Sequence, residues 1–331
     1  MSVVTSGMLI FVAVGIGMWV ASIIMESLRR APANPEALQW APQIPIEYAD
    51  VGGTKMRYIK SGSGPSLLLL HTLRTQLDLF QKVIPELSKQ FTVYAPDYPG
   101  HGFSDIPAGR YDADFFVEHV EGFMEAMDLR DVTVAGVSIG ASIALLIAAR
   151  QNPRLARVVA INPYDYAKGR GMARSSVLAR MITLTSALPV VGETVMRLRN
   201  FAIMKAIFRG GVADPDSLPP ALLEEMYAVG NRSGHYRAFL GLLRHAQSWE
   251  SATTHYAAIA IPVILIWGSQ DWSLAAEREH DAELIPDVRQ ITVEGGGHFL
   301  PLDRPDEVIA NIGDSILISN ERLSILSPIQ R

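Results

Sequence analysis

Short runs rich in Val, Ile and Leu recur along the chain, and between them lie stretches whose apolar residues return every three or four positions. PIEYAD and KMRYIKSG flank Gly52 and Gly53 and predict a hairpin, while PSLLLLH, FTVYAPD, VTVAGV, LARVVAINP, IPVILIWG and VRQITVEG predict further strands. Helical spacing fills LDLFQKVIPELSKQ, DADFFVEHVEGFMEAMD and SIALLIAARQN. Alternating strands and helices of this kind predict an α/β fold around a mostly parallel sheet covered on both faces. The alternation stops after Asn162 and Pro163. About a hundred residues of helical periodicity then run to Ile261 before IPVILIWG resumes the pattern, so the spacing predicts a helical insertion between two late strands.

The N-terminus departs from this rhythm. Val3 to Met25 carries no charge over roughly the length that crosses a bilayer core. It is apolar all round and leads into the Pro-rich segment APANPEALQWAPQIP, a pattern of an anchor and tether rather than of a packed helix. A cleaved signal peptide is the competing reading, but it calls for a basic residue before the apolar run, and none is present. Arg29 and Arg30 follow the span, which places the bulk of the chain on the cytoplasmic side of a membrane crossed once. The expected organisation is therefore an anchor with its basic flank over 1–30, a tether over 31–44, an α/β core over 45–163 and 262–318, a helical cap over 164–261 and a tail over 319–331.

Composition narrows the partners. Over 331 residues, 29 Lys plus Arg against 34 Asp plus Glu gives a formal charge of -5, with no basic stripe on the scale of a domain, so nucleic acid is not an expected partner. The absence of cysteine excludes disulfides and thiolate chemistry.

Candidate chemistry centres on GVSIG, Gly136 to Gly140. An exposed nucleophile on a strand-to-helix turn needs a strand ending at the serine, small residues beside a strained backbone, and a helix starting just beyond. VTVAGV, Ser138 and IGASIALLIAAR supply those parts; the plainer alternative is a serine capping an ordinary turn. A serine needs a base and the base an orienting acid. Asp271 follows the strand IPVILIWG, and His298 follows VRQITVEG and the run Gly295 to Gly297, which would free the loop to swing the imidazole toward Ser138. Of the other histidines, His71 and His101 read as loop-organising hydrogen-bonders, and His119, His235, His245, His255 and His280 as helix-surface or cap residues.

With Ser138, Asp271 and His298 in that order, the chain resembles the α/β-hydrolase superfamily, specifically its capped branch with a serine nucleophile, over roughly Pro45 to Ile318. DYPGHGFSD, Asp97 to Asp105, matches a loop typical of that branch and is read as a fold marker. The resemblance implies no cofactor. It implies Ser138 as nucleophile, His298 as base, Asp271 as acid, and an oxyanion hole from the backbone N–H groups of Leu73 and Ile139. The serine sets the chain apart from relatives resembling haloalkane dehalogenases and epoxide hydrolases, which carry aspartate there. One position departs from the pattern: Thr72 follows His71 where the family usually has glycine. Beside it, Arg74 reads either as a grip for a substrate anion or, more plainly, as a solvent-facing side chain, and Thr72 is a further candidate substrate contact. The apolar, methionine-rich insertion with its scattered arginines suits a lipophilic substrate entering beside a bilayer. The expected activity is ester hydrolysis through an acyl-enzyme. A carbon–carbon bond hydrolase, a cofactor-free haloperoxidase and an acyltransferase remain open on the same residues, as does, from another class, an inactive membrane-tethered binding protein.

Overall fold

The apolar runs become strands because the alternating side chains of a pleated strand find cover on both sides. In the segment Leu67 to Leu70, Leu67 and Leu69 join one apolar cluster and Leu68 and Leu70 the other, and all four are fully buried. Each such leucine contributes roughly 1.5–3 kcal/mol relative to an exposed one. The computed structural model, which describes residues 3–326, assembles eight strands into one sheet. They are β1 (Ile46–Val51), β2 (Thr54–Ser61), β3 (Ser66–Leu70), β4 (Thr92–Pro96), β5 (Val132–Val137), β6 (Leu155–Ile161), β7 (Val263–Gly268) and β8 (Val288–Val293), in the spatial order β1-β2-β4-β3-β5-β6-β7-β8. β1 and β2 form the predicted hairpin and β2 pairs antiparallel with β4; every other pairing is parallel.

Helices fall into four groups. α1 (Val3–Ser27) precedes the sheet; α2 (Ile84–Leu87), α3 (Ala113–Ala126) and α4 (Ile139–Ala149) connect its first strands; α5 (Val177–Ser186), α6 (Val191–Arg197), α7 (Phe201–Arg209), α8 (Pro220–Val229), α9 (His235–Arg244) and α10 (Gln247–Ser251) form the insertion between β6 and β7. α11 (Ala275–Leu284), α12 (Leu300–Asp303) and α13 (Pro305–Leu326) complete the chain, so the last helix runs past 318, while 327–331 of the expected tail lie outside the described residues.

Two further expectations are modified. The helix read over LDLFQKVIPELSKQ is broken into a 3-10 turn, Leu77–Phe80, and the short α2. Pro85 fits only the first turn of a helix, where no N–H is required, and the Asp97 carboxylate takes the Leu77 N–H at 2.8 Å. The expected tether over 31–44 is partly tied down: Leu38, Ala41 and Ile44 are buried in the core, and the Trp40 indole donates to Asp78 at 2.7 Å.

α1 carries 21 residues, Gly7–Ser27, long and apolar enough to cross a membrane, and they are almost wholly exposed. Its end is fastened to the insertion. α1 packs along α6, Glu26 pairs with Arg199 at 2.6 Å, and Arg29 donates to Asn231 Oδ1 and to the carbonyls of Arg197 and Arg199.

Candidate active site

Ser138 sits between β5 and α4 with φ 58° and ψ -119°, a conformation that costs a non-glycine residue about 1–3 kcal/mol and persists only where its surroundings hold it. Its N–H donates to Ile161 O at 2.9 Å, and its carbonyl accepts from the N–H groups of Ala141 and Ser142. The flanking glycines are there for backbone contact. A Cβ on Gly136 would run into the backbone of Gly140, and one on Gly140 into the carbonyls of Leu70 and His71.

At the ends of β7 and β8, Asp271 and His298 are brought together. His298 Nδ1 lies 2.6 Å from Asp271 Oδ1, and both side chains are buried. The second carboxylate oxygen accepts from the Ser273 N–H at 2.9 Å and from the Tyr166 hydroxyl at 3.4 Å. Burial pushes against ionisation of Asp271, but the charge and hydrogen bond of His298, together with Ser273, outweigh it and hold the carboxyl below its ordinary range. An ionised carboxylate only accepts, so Nδ1 carries a proton toward Asp271, and in the neutral tautomer of that kind Nε2 is the acceptor left free. Nε2 and Ser138 Oγ are both buried and have no hydrogen-bond partner among the described residues.

The glycine run before His298 does not swing freely, contrary to expectation. The Asn162 amide donates to the carbonyls of Gly297 and His298, both at 3.0 Å, while its oxygen accepts from the Gly268 N–H. Asp303 accepts from the N–H groups of Gly297 and Ala213 and from the Ser217 hydroxyl, each at 2.8 Å. Trp272 stacks on the imidazole at 3.8 Å between ring centres and 14° between planes, and its indole donates to Gly210 O. Sequence reasoning missed all three residues. Their only signals were positional: Asn162 ends a strand, Trp272 follows Asp271, and Asp303 lies five residues past His298.

The loop after β3 is held from behind. His71 donates from Nδ1 to Thr72 O at 2.8 Å and accepts from the Tyr98 N–H at Nε2, while the Thr75 hydroxyl also donates to Thr72 O. Burial drives the His71 pKa well below its usual value, which keeps the ring neutral and able to do both. The Leu73 N–H has no protein acceptor among the described residues, and Ile139, first in α4, has no intrahelical acceptor for its own. Thr72 Oγ1 is buried without a partner among the described residues. The DYPGHGFSD loop serves the frame: Asp97 Oδ2 accepts from the Phe103 N–H at 2.9 Å, and Ser104 bridges Asp97 O and the Arg57 N–H.

Above these groups lies a cavity of about 230 Å³, whose walls include Thr72, Leu73, Trp272 and His298 from the core and Met204 and Phe208 from the insertion. Ser138 is fully buried, so reaching its hydroxyl requires the lining side chains to move.

Residues 65–305 match the family model described as alpha/beta hydrolase fold. The chain belongs to the α/β-hydrolase family. Haloalkane dehalogenase 2 of Mycobacterium tuberculosis is 25% identical over 286 residues, covering 82% of this chain and 96% of that protein. The 2-(acetamidomethylene)succinate hydrolase of Mesorhizobium japonicum is 23% identical over 278 residues, 81% and 93% of the two chains. Among solved structures, Cfl2 from Burkholderia cenocepacia superposes with a TM-score of 0.73 at 20% identity, covering 86% of this chain and 99% of that one.

Two side chains of this hydrolase were each open to two placements. Of the two places expected for His235, helix surface or cap, the structure gives the second: it is buried at the start of α9 in the insertion, and desolvation, with Arg74 next in effect, drives its pKa well below the ordinary value. Arg74 does not face bulk solvent: it lines the cavity, with its guanidinium 4.9 Å from the centre of the Phe239 ring.

Proposed function

We propose that this α/β hydrolase is a membrane-anchored serine esterase acting on a lipophilic substrate through an acyl-enzyme. The observation that carries the reading is a serine in a strained elbow combined with a buried Asp271–His298 pair whose Nε2 is left free. In the reaction His298 Nε2 takes the Ser138 proton as Oγ attacks the carbonyl, and Asp271 stabilises the imidazolium that forms. The Leu73 and Ile139 amides hold the oxyanion, and donors of this kind commonly contribute about 10²-fold to 10³-fold in rate. His298 then passes the proton to the departing alkoxide, and water repeats the sequence to release the acid. The serine argues against the dehalogenase chemistry named for one relative.

Membrane attachment rests on α1 and on the surface beside it. Val177, Met181, Leu184, Leu188, Val190 and Val191 are all exposed along α5 and the turn into α6, the helix against which α1 packs. Met181 also lines the cavity. An apolar rim next to a spanning helix lets a lipophilic ester pass from the bilayer to the pocket without crossing water.

The test is labelling with a fluorophosphonate probe in detergent, wild type against Ser138→Ala. Labelling of wild type alone, followed by turnover of nitrophenyl esters, supports the esterase. A folded wild type that does not label transfers support to an inactive binding protein.

A further inference from the structure

Two arginines line the mostly apolar cavity, and the fold treats them differently. Arg199 is neutralised: it pairs with Glu26 at 2.6 Å and donates to the carbonyls of Met196 at 2.9 Å and Gly230 at 2.7 Å. Arg74 has no carboxylate, carbonyl or hydroxyl partner among the described residues; the Phe239 ring is what it rests on. Its backbone stands at φ 54°, in the left-handed region, which few arginines occupy. Its electrical surroundings are cationic. Burial, then Arg199 and Arg29, lower its pKa to about 10, with only the Tyr227 phenol opposing them. The next residue but one, Thr72, carries a buried hydroxyl that also lacks a partner. Arg74 and Thr72 therefore flank Leu73, the residue whose N–H the esterase reading gives to the oxyanion.

A guanidinium held in an apolar chamber without a counter-ion is a poor way to build a wall and a good way to receive a planar anion, since its donor fork matches two carboxylate oxygens. One unpaired cation suits one negative charge. A dianionic phosphate would call on a second, and Arg199 is already taken. We propose that Arg74 is the subsite for a carboxylate carried by the substrate close to its scissile bond, so that the substrate is an anionic amphiphile whose apolar chain lies along the Met204 and Phe208 wall. The assignment of a scissile bond rests on the esterase reading; the carboxylate subsite itself does not.

Two measurements on the full chain in detergent test it. The first compares kcat/KM for mono-4-nitrophenyl glutarate with that for its uncharged counterpart 4-nitrophenyl pentanoate. Hydrogen bonds to charged groups contribute about 1.5–3 kcal/mol, so Arg74→Gln lowers the charged-to-uncharged ratio by about 10-fold to 100-fold, chiefly through KM, and Arg74→Lys restores part of it. If both esters lose rate together and the ratio stands, Arg74 only packs the loop and the proposal is wrong. The second measures octanoate and octan-1-ol binding by calorimetry in a Ser138→Ala background. A fall of about 10-fold in the octanoate-to-octanol affinity ratio on adding Arg74→Gln supports the subsite, and an unchanged ratio overturns it. This arm needs no turnover, so loss of the esterase reading, seen as absent fluorophosphonate labelling, is distinguishable from loss of the subsite.

Discussion

Two groups of buried polar side chains lie on either side of the loop after β3; the fold pairs the charges of one, although Arg57 Nε and Nη1 find no hydrogen-bond acceptor among the described residues, and leaves the other open. Behind the loop, both oxygens of Asp97 are engaged: Oδ1 by the Leu77 N–H, Oδ2 by the Phe103 N–H and by Arg57 at 3.3 Å. Arg57 also reaches Asp78 at 2.9 Å, and Asp78 takes up Gln76 and Trp40, each at 2.7 Å. On the cavity side, Ser138 Oγ, His298 Nε2 and Thr72 Oγ1 are buried without partners among the described residues, and Arg74 has no counter-ion among them. A buried polar group left unpaired costs about 1–3 kcal/mol, so a cluster of them in one place is a cost the fold carries for something outside itself. The charge-paired group holds the chain in shape, and the open group is complementary to a molecule that has yet to arrive.

Exchanging the two roles by mutation gives the widest separation. Asp271→Asn keeps the shape of the dyad but disturbs the tautomer of His298, and kcat on nitrophenyl esters is expected to fall about 10⁴-fold with little change in Tm. Asp97→Ala does the reverse. It takes from Arg57 one of its two carboxylate partners and leaves the buried Leu77 and Phe103 N–H groups without their acceptor, and stability measured by urea unfolding is expected to drop by about 3–5 kcal/mol, while the folded fraction, counted by fluorophosphonate titration, turns over at about the wild-type rate. Were Asp97→Ala to remove turnover per labelled site while leaving stability alone, the division between frame and site would be misplaced.

The sheet was legible because strands buried on both faces read as unbroken apolar runs, and the elbow because Gly136 and Gly140 each have a neighbour's backbone where a Cβ would go. What stayed hidden depends on contacts between distant segments. Leu38, Ala41 and Ile44 dock through three side chains in a Pro-rich stretch, too few to make a period. Arg74 stands in the left-handed region, a backbone state that no neighbouring residue announces, and lines the cavity. Asn162, Asp303 and Trp272 act on His298 from the ends of different strands and helices, with no spacing in common. Trp272 is thus the natural intermediate case, a frame residue touching the open group. Aromatic stacking contributes about 0.5–1.5 kcal/mol, so Trp272→Leu is expected to lower kcat by about 10-fold, more than it lowers stability, as the imidazole loses its preferred plane. Equal kcat in the variant would leave Trp272 as packing alone.

A third polar cluster sharpens the rule from the other direction. Asp165 and Asp281 lie buried against one another, with the Tyr256 hydroxyl donating to Asp165, and neither is among the residues lining the cavity. Burial first, and then Asp165, raise the Asp281 pKa to about 10, while burial raises that of Asp165 to about 6. In the unfolded chain both carboxyls titrate near 4. Between about pH 4 and pH 10 the folded protein therefore holds protons that the unfolded chain has released, and linkage makes stability decline as pH rises through that window. Asp281→Asn replaces the protonated carboxyl with a neutral donor that does not titrate. The fall in Tm between pH 6 and pH 9 is expected to shrink in the variant, with kcat/KM at pH 7 within about two-fold of wild type, because a cluster whose partners are internal belongs to the frame. An unchanged slope of Tm against pH would mean that Asp281 is ionised in the folded state, and a changed kcat/KM would place the cluster with the cavity group instead.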